Sequence, residues 1–220
     1  MSFCQMSKII VVTQPDFDLA TRYLSAWAEE IIKLAKTHGN TVIDLKGSRA
    51  NRAELESIIK KRHPRFIVLN GHGSNDEIAG QDNESLVKKG MNEAIVTNTI
   101  VYAISCSSAK LLGVAAIEKG ALCYLGYEDD FIFLNDHSKL NKPLQDPLAQ
   151  LFLEPSNKVS MALIKGHTTG KAYRKSKEML RQTIRRILTS EASYEEKACL
   201  RYLLWNYQHF TCIGSTNAML

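Results

Sequence analysis

The chain has 220 residues, of which 45% are hydrophobic and 23% charged, with a formal net charge of +5. This composition supplies one sizeable core and excludes a low-complexity chain. The positive excess is mild and spread out, apart from a concentration over residues 165–186, so it does not by itself imply nucleic acid.

Residues 8–12 (KIIVV) form a short β-branched run that reads as a buried strand, broken at Pro15. Asp16 or Asp18 can cap the helix that follows over 19–37, which closes at His38-Gly39-Asn40. A second strand is predicted at 41–45 (TVIDL) and a second helix at 53–62, ended before Pro64. A third strand, 65–70 (RFIVLN), runs straight into Gly71-His72-Gly73-Ser74. Residues 74–89 are polar and read as a loop. A fourth strand, 98–105 (NTIVYAIS), runs straight into Cys106-Ser107-Ser108, and a helix over 109–119 follows with the serines as N-caps. Gly120 ends it before a fifth strand at 121–126 (ALCYLG). Residues 128–145 look irregular. Helices follow at 147–153, 157–165, 169–188 and 194–207, and 210–213 (FTCI) is a last short strand.

Strands alternating with helices predict an α/β fold: a mostly parallel open sheet of about six strands covered on both faces. No linker or internal repeat divides the chain, so residues 1–220 read as a single domain. Sheets of this kind bind ligands at the carboxyl ends of their strands, where His72 and Cys106 fall.

The five cysteines are Cys4, Cys106, Cys123, Cys199 and Cys212. Their odd number, without a CxxC or a short metal-ligand spacing, argues against a disulfide framework or a zinc site and for a reducing cytoplasm. No apolar stretch is long enough to span a membrane, and residues 1–6 lack the features of a signal peptide. Neither membrane nor nucleic acid is expected as a partner.

A thiol nucleophile needs a base or acid nearby and donors for an oxyanion. Cys106 sits between a strand and a helix start, where the helix N-terminus favours a thiolate and the Ser107 and Ser108 amides would point toward the site. An adjacent parallel strand would bring His72 alongside. Gly71 and Gly73 let the backbone turn sharply, leaving the Gly73 and Cys106 amides as oxyanion donors. His72 would protonate a leaving amine and then activate water. Taken alone, a cytoplasmic cysteine is most often a small core residue, and a loop histidine is mostly polar surface. Cys123, Cys199 and Cys212 read as core. His38, His63, His137, His167 and His209 read as structural.

A hydrophobic strand ending in His-Gly, followed by one ending in Cys, resembles the clan CD cysteine peptidases: caspases, metacaspases, gingipains, separases and bacterial CHAT domains. Residues 78–83 (IAGQDN) resemble the group's I-x-G-x-D loop, and residues 120–126 (GALCYLG) resemble its G-A-x-x-x-x-G strand. Ile213-Gly214-Ser215 resembles the closing F-G-D-P strand end without its Asp-Pro. Residues 166–177 (GHTTGKAYRKSK) look like the CHAT helix before that strand. The resemblance covers nearly the whole chain and implies a caspase-like three-layer sandwich. It implies cysteine endopeptidase activity through Cys106 and His72, with no cofactor and a protein or peptide substrate. Relatives often act in regulated defence or death modules, so a regulatory protein partner is expected.

Ile104 stands two residues before the cysteine, where metacaspases and legumains place an acid. The acid for a basic P1 side chain is then sought in Glu128, Asp129 and Asp130, with Asp129 or Asp130 favoured. The same three carboxylates also read as a solvated loop. A calcium site there has no regular ligand spacing behind it. Two other readings remain in play. One is a catalytically silent interaction module with the same fold. The other is a nucleotide- or flavin-binding domain, which would need a glycine-rich loop after the first strand, and residues 12–16 (VTQPD) contain no glycine.

Overall fold

The computed structural model describes residues 7–220; Cys4 and residues 1–6 lie outside them. Strand β1 (Ile9–Gln14) leads into helix α1 (Leu19–Thr37), then β2 (Thr41–Lys46), α2 (Arg52–Arg62) and β3 (Phe66–Asn70). Asp18 caps α1 with a capping box, and Asn51 caps α2.

The segment read as a polar loop is in part a small antiparallel hairpin, β4 (Glu77–Ala79) and β5 (Ser85–Lys88). Its buried apolar side chains are Ile78, Ala79, Leu86 and Val87, two adjacent pairs that give no period-two pattern to stand out among acids and lysines. Strand β6 (Ile100–Ile104) follows, then one π-type turn (Ala109–Gly113) running into the short helix α3 (Val114–Glu118), and β7 (Cys123–Tyr127). Ser108 makes no side-chain cap there. Its hydroxyl pairs with Ser105 at 2.8 Å and accepts from Tyr124 at 3.0 Å, in the buried layer beneath the strand end.

Two helices expected on either side of Pro155 are one, α4 (Pro147–Ile164). A proline inside a helix costs about 3 kcal/mol. Burial of Phe152, Leu153, Val159 and Leu163 on both sides of it outweighs that cost. Helices α5 (Thr169–Ile187) and α6 (Tyr194–His209) and strand β8 (Phe210–Gly214) complete the chain. The segment 166–177 forms the turn into α5 and its first turns.

The main sheet has the order β2-β1-β3-β6-β7-β8; neighbours are parallel except β8, which runs antiparallel to β7. Alternate residues of the central strands enter two cores. Val12, Val68, Tyr102 and Leu125 pack under α1 and α4, whereas Val11, Ile67, Val101 and Tyr124 pack with α2, the hairpin and the turn before α3. The sheet is therefore buried on both faces, which is why its strands are apolar throughout rather than alternating. A third cluster ties α4, α5 and α6 together. Cys123 and Cys199 are fully buried, and Cys212 packs partly against the first core. Among the described residues no helix is long and apolar enough to cross a membrane.

Candidate active site

Strands β3 and β6 pair in parallel from Phe66 opposite Ile100 to Asn70 opposite Ile104. Carried two residues further, this register sets His72 opposite Cys106. The pairing does carry on, since the Gly71 amide donates to the Ile104 carbonyl at 3.4 Å. Thr13 and Asn70 exchange three hydrogen bonds of 2.7–3.0 Å that clip the end of β1 to the end of β3.

Two glycines let the backbone pack closely around this end of β3. A Cβ on Gly71 would lie 2.0 Å from the Ala79 carbonyl oxygen, and one on Gly73 would lie 2.5 Å from the Cys106 carbonyl oxygen. A side chain at Gly71 would push the β4 hairpin away from the end of β3, and one at Gly73 would drive the β3 and β6 tips apart. Among the described residues, the backbone amides of Gly73 and Cys106 donate to no protein acceptor. The Ser107 amide does not join them. Ser107 sits at φ 55 and donates to the Asp129 carbonyl at 3.0 Å.

His72 and Cys106 line the same small cavity, about 120 Å³, with Leu24, Ile104, Phe131 and Phe133 as apolar walls. A more open cavity of about 360 Å³ shares Cys106, Phe131 and Phe133 and adds Asp130. Asp129 and Glu128 line neither. The Asp129 carboxylate accepts from the Asp130 amide, and Glu128 is exposed. Among the described residues no group of three or more His, Cys, Asp and Glu is arranged to hold a metal ion.

A crystal structure of the Arg-specific cysteine proteinase gingipain R superposes on 97% of this chain with a TM-score of 0.62 and 8% identity. The fold is caspase-like. The chain spans 47% of the length of that structure. A second solved structure, an inactive zymogen C11 protease from Parabacteroides distasonis, matches 84% of this chain and 67% of its own, with a TM-score of 0.41 and 14% identity. No family model and no curated protein matches the sequence.

Within this caspase-like frame the two reactive side chains are held differently. His72 Nε2 lies 2.5 Å from Asp18 Oδ2, and the Phe17 ring meets the imidazole edge-on at 5.8 Å. Asp18 Oδ1 accepts from the Thr21 amide and hydroxyl, both at 2.8 Å. Burial works to raise the Asp18 pKa. The Thr21 amide, His72 and the Thr21 hydroxyl outweigh it and hold the carboxyl below its usual range. An ionised Asp18 can only accept, so Nε2 carries the proton and Nδ1 is left as the free basic nitrogen.

Cys106 is restrained as a thiol. Burial pushes its pKa up to about 11, and the carboxylates of Asp130 and Asp129 add to the rise. Its Sγ–H donates to the Phe131 carbonyl at 3.8 Å, and no hydrogen bond joins it to His72 among the described residues. This corrects the expectation of a thiolate favoured by a helix N-terminus. The chain leaves Cys106 through the left-handed Ser107 into a π-type turn, so no regular helix starts at the sulfur.

The segment over the sulfur is tied on both sides. The Trp205 indole donates to the Asp130 carbonyl at 3.0 Å, and the Asn206 side chain bonds both the amide and the carbonyl of Ile132. Asp18 and Phe131 are the two residues that sequence reasoning missed. Asp18 was assigned to its cap alone, although it follows the strand beside β3 at the same sheet edge. Phe131 lies in a stretch with no periodicity to place it.

Proposed function

We propose that the chain is a cysteine endopeptidase in which Cys106 is the nucleophile, His72 the acid–base group and Asp18 the residue that orients His72. The observation that carries this reading is the shared β3–β6 register, which supports a thiol and an imidazole facing one cavity beside two unpaired backbone amides. The Cys106 proton passes to His72 Nδ1 as sulfur bonds the scissile carbonyl carbon. The Gly73 and Cys106 amides receive the oxyanion. The tetrahedral adduct collapses to a thioester as His72 returns the proton to the departing amine. Water, deprotonated by the same nitrogen, then releases the acid and regenerates the thiol.

For specificity we propose a basic P1 side chain received in the more open cavity, with Asp130 as its carboxylate. Gingipain R is itself an Arg-specific proteinase, and an exposed acid at the cavity rim suits the same chemistry here. A regulated setting, such as a defence or death module with a partner protein, fits a nucleophile kept protonated at rest.

The test is covalent labelling of the purified chain by an acyloxymethyl ketone with Arg at P1. Labelling at Cys106, lost in Cys106→Ala, supports the reading. Labelling that persists in Cys106→Ala defeats it. One observation favours a second reading, a silent interaction module: the thiol turns to the Phe131 carbonyl and not to His72. In that case the wild-type chain would stay unlabelled in every condition that modifies small thiols.

A further inference from the structure

A sizeable cavity lies away from the candidate active site. It is a cleft of about 630 Å³ at the opposite, N-terminal ends of β3 and β6, between the end of α2 and the loop that enters β6. Its apolar surface comes from Ile59, Pro64 and Ile95, and its rim carries the exposed Lys60, His63 and Arg65.

The charge around it is one-sided. Residues 60–65 read Lys-Lys-Arg-His-Pro-Arg, and none of their cationic groups is in a salt bridge among the described residues. The carboxylate that lines the cleft, Glu56, is already engaged by the Asn92 amide at 2.8 Å. The Arg65 guanidinium leans on the Asn98 carbonyl at 3.4 Å, which leaves most of its donors free. Part of the basic run is explained by the negative end of the α2 dipole. That explains neither an unpaired Arg65 beyond the helix nor an apolar hollow beside it.

We propose that this cleft docks an acidic peptide segment of a partner protein, with one bulky apolar side chain of that segment in the hollow and its carboxylates on Lys60, Arg65 and the neighbouring Lys61 and Arg62. The volume lies within the few hundred to about 1,000 Å³ usual for a specific site, and an apolar hollow rimmed by Lys60 and Arg65 matches an amphipathic acidic ligand. The proposal is independent of the peptidase reading. The cleft and the catalytic pair lie at opposite ends of the same two strands.

The probe is a fluorescein-labelled peptide of about ten residues, Asp and Glu around a central Phe-Leu pair, titrated with the full chain by anisotropy. Binding is expected with a Kd on the order of 10 μM, weakening as salt rises. A peptide with Ser-Ser at the centre, or with Asn and Gln in place of the acids, should bind at least about tenfold more weakly. The Lys60→Glu/Arg65→Glu double variant should lose binding to the same extent. A control pair on the exposed face of α5, Lys171→Glu/Arg174→Glu, and Cys106→Ala should both bind as the unaltered chain does.

Hydrogen exchange on the unaltered chain gives a reading that does not depend on any variant folding: protection by the peptide should concentrate at 59–65 and 95–99. No binding up to about 200 μM, equal binding of the Ser-Ser peptide, equal loss with the α5 pair, or protection elsewhere would overturn the proposal.

Discussion

The tips of β3 and β6 are neighbours in one register, yet the protein treats their side chains in opposite ways. His72 is poised: a carboxylate fixes its tautomer, an aromatic edge fixes its plane, and its other nitrogen is free. Cys106 is restrained: it is half-buried, faces a carbonyl acceptor and is kept protonated by burial and by the nearby carboxylates. Preorganised bases cost little to keep, because a neutral imidazole is stable in water. A reactive thiolate is exposed to oxidation and stray electrophiles, so on the proposed reading a sulfur held as a thiol until a substrate displaces the Phe131 contact would be protected. On the proposed peptidase reading, activation would act on the 129–133 segment rather than on the histidine.

The largest effect expected comes from removing either tip. Cys106→Ala should abolish turnover of an Arg-P1 substrate, a loss of at least about 10³-fold. His72→Ala should cost about 10²–10⁴-fold. A Cys106→Ala chain that keeps wild-type turnover would remove the sulfur from the mechanism altogether. Neither change should unfold the chain, since both side chains lie at the sheet edge and outside the three cores.

The next effect tests the poised side. Asp18 has two jobs, capping α1 and orienting His72, and Asp18→Asn separates them. Asparagine caps as well as aspartate does, so the Thr21 contacts and the melting temperature should hold. The amide, however, cannot fix Nε2 as a donor in the same way. Turnover should fall by about 10–100-fold in kcat with KM little changed. Asp18→Ala should add a stability loss of about 1 kcal/mol. If Asp18→Asn and wild type share one kcat, Asp18 is a cap and nothing more.

Much of this geometry could be read from the chain before any coordinates. The runs at 66–69 and 100–104 are continuously apolar because both faces of β3 and β6 are buried, and His72 and Cys106 each follow their strand's end by two residues. A chain that buries strands on both faces and returns through helices has few other folds open to it. What stayed hidden depended on partners remote in sequence. Asp18 bonds His72 across 54 positions, and the Phe131 carbonyl reaches Cys106 across 25. Neither side chain announces that role through periodicity or spacing. Pro155 misled for a related reason: local propensity ends a helix there, and burial on two sides overrides it.

A third test addresses the restrained side through pH. With the thiol at about 11, alkylation of Cys106 by iodoacetamide should rise about tenfold per pH unit from 7 to 10, with no plateau in that range. At pH 7 the rate should be about a hundredfold below that of an unperturbed thiol. A plateau near pH 6–7 would show a thiolate–imidazolium pair at rest and erase the contrast between the two tips.

The smallest effect separates two roles of one carboxylate. Asp130 raises the Cys106 pKa after burial has done most of the work, and it lines the more open cavity. Asp130→Asn removes the charge while keeping an acceptor near the Ser107 hydroxyl. The thiol pKa should fall, and because the thiolate fraction below the pKa grows as the pKa drops, alkylation at pH 7 should speed up. Asp130 is exposed, so the gain should be only about two- to fivefold and should shrink in high salt. Turnover of an Arg-P1 substrate should move the other way, through a higher KM, because the cation has lost its partner. Faster alkylation with poorer Arg turnover identifies Asp130 as both the brake on the sulfur and the reader of the substrate. Faster alkylation with unchanged Arg turnover leaves it as a brake only, and P1 recognition then belongs to other residues of the 129–133 segment.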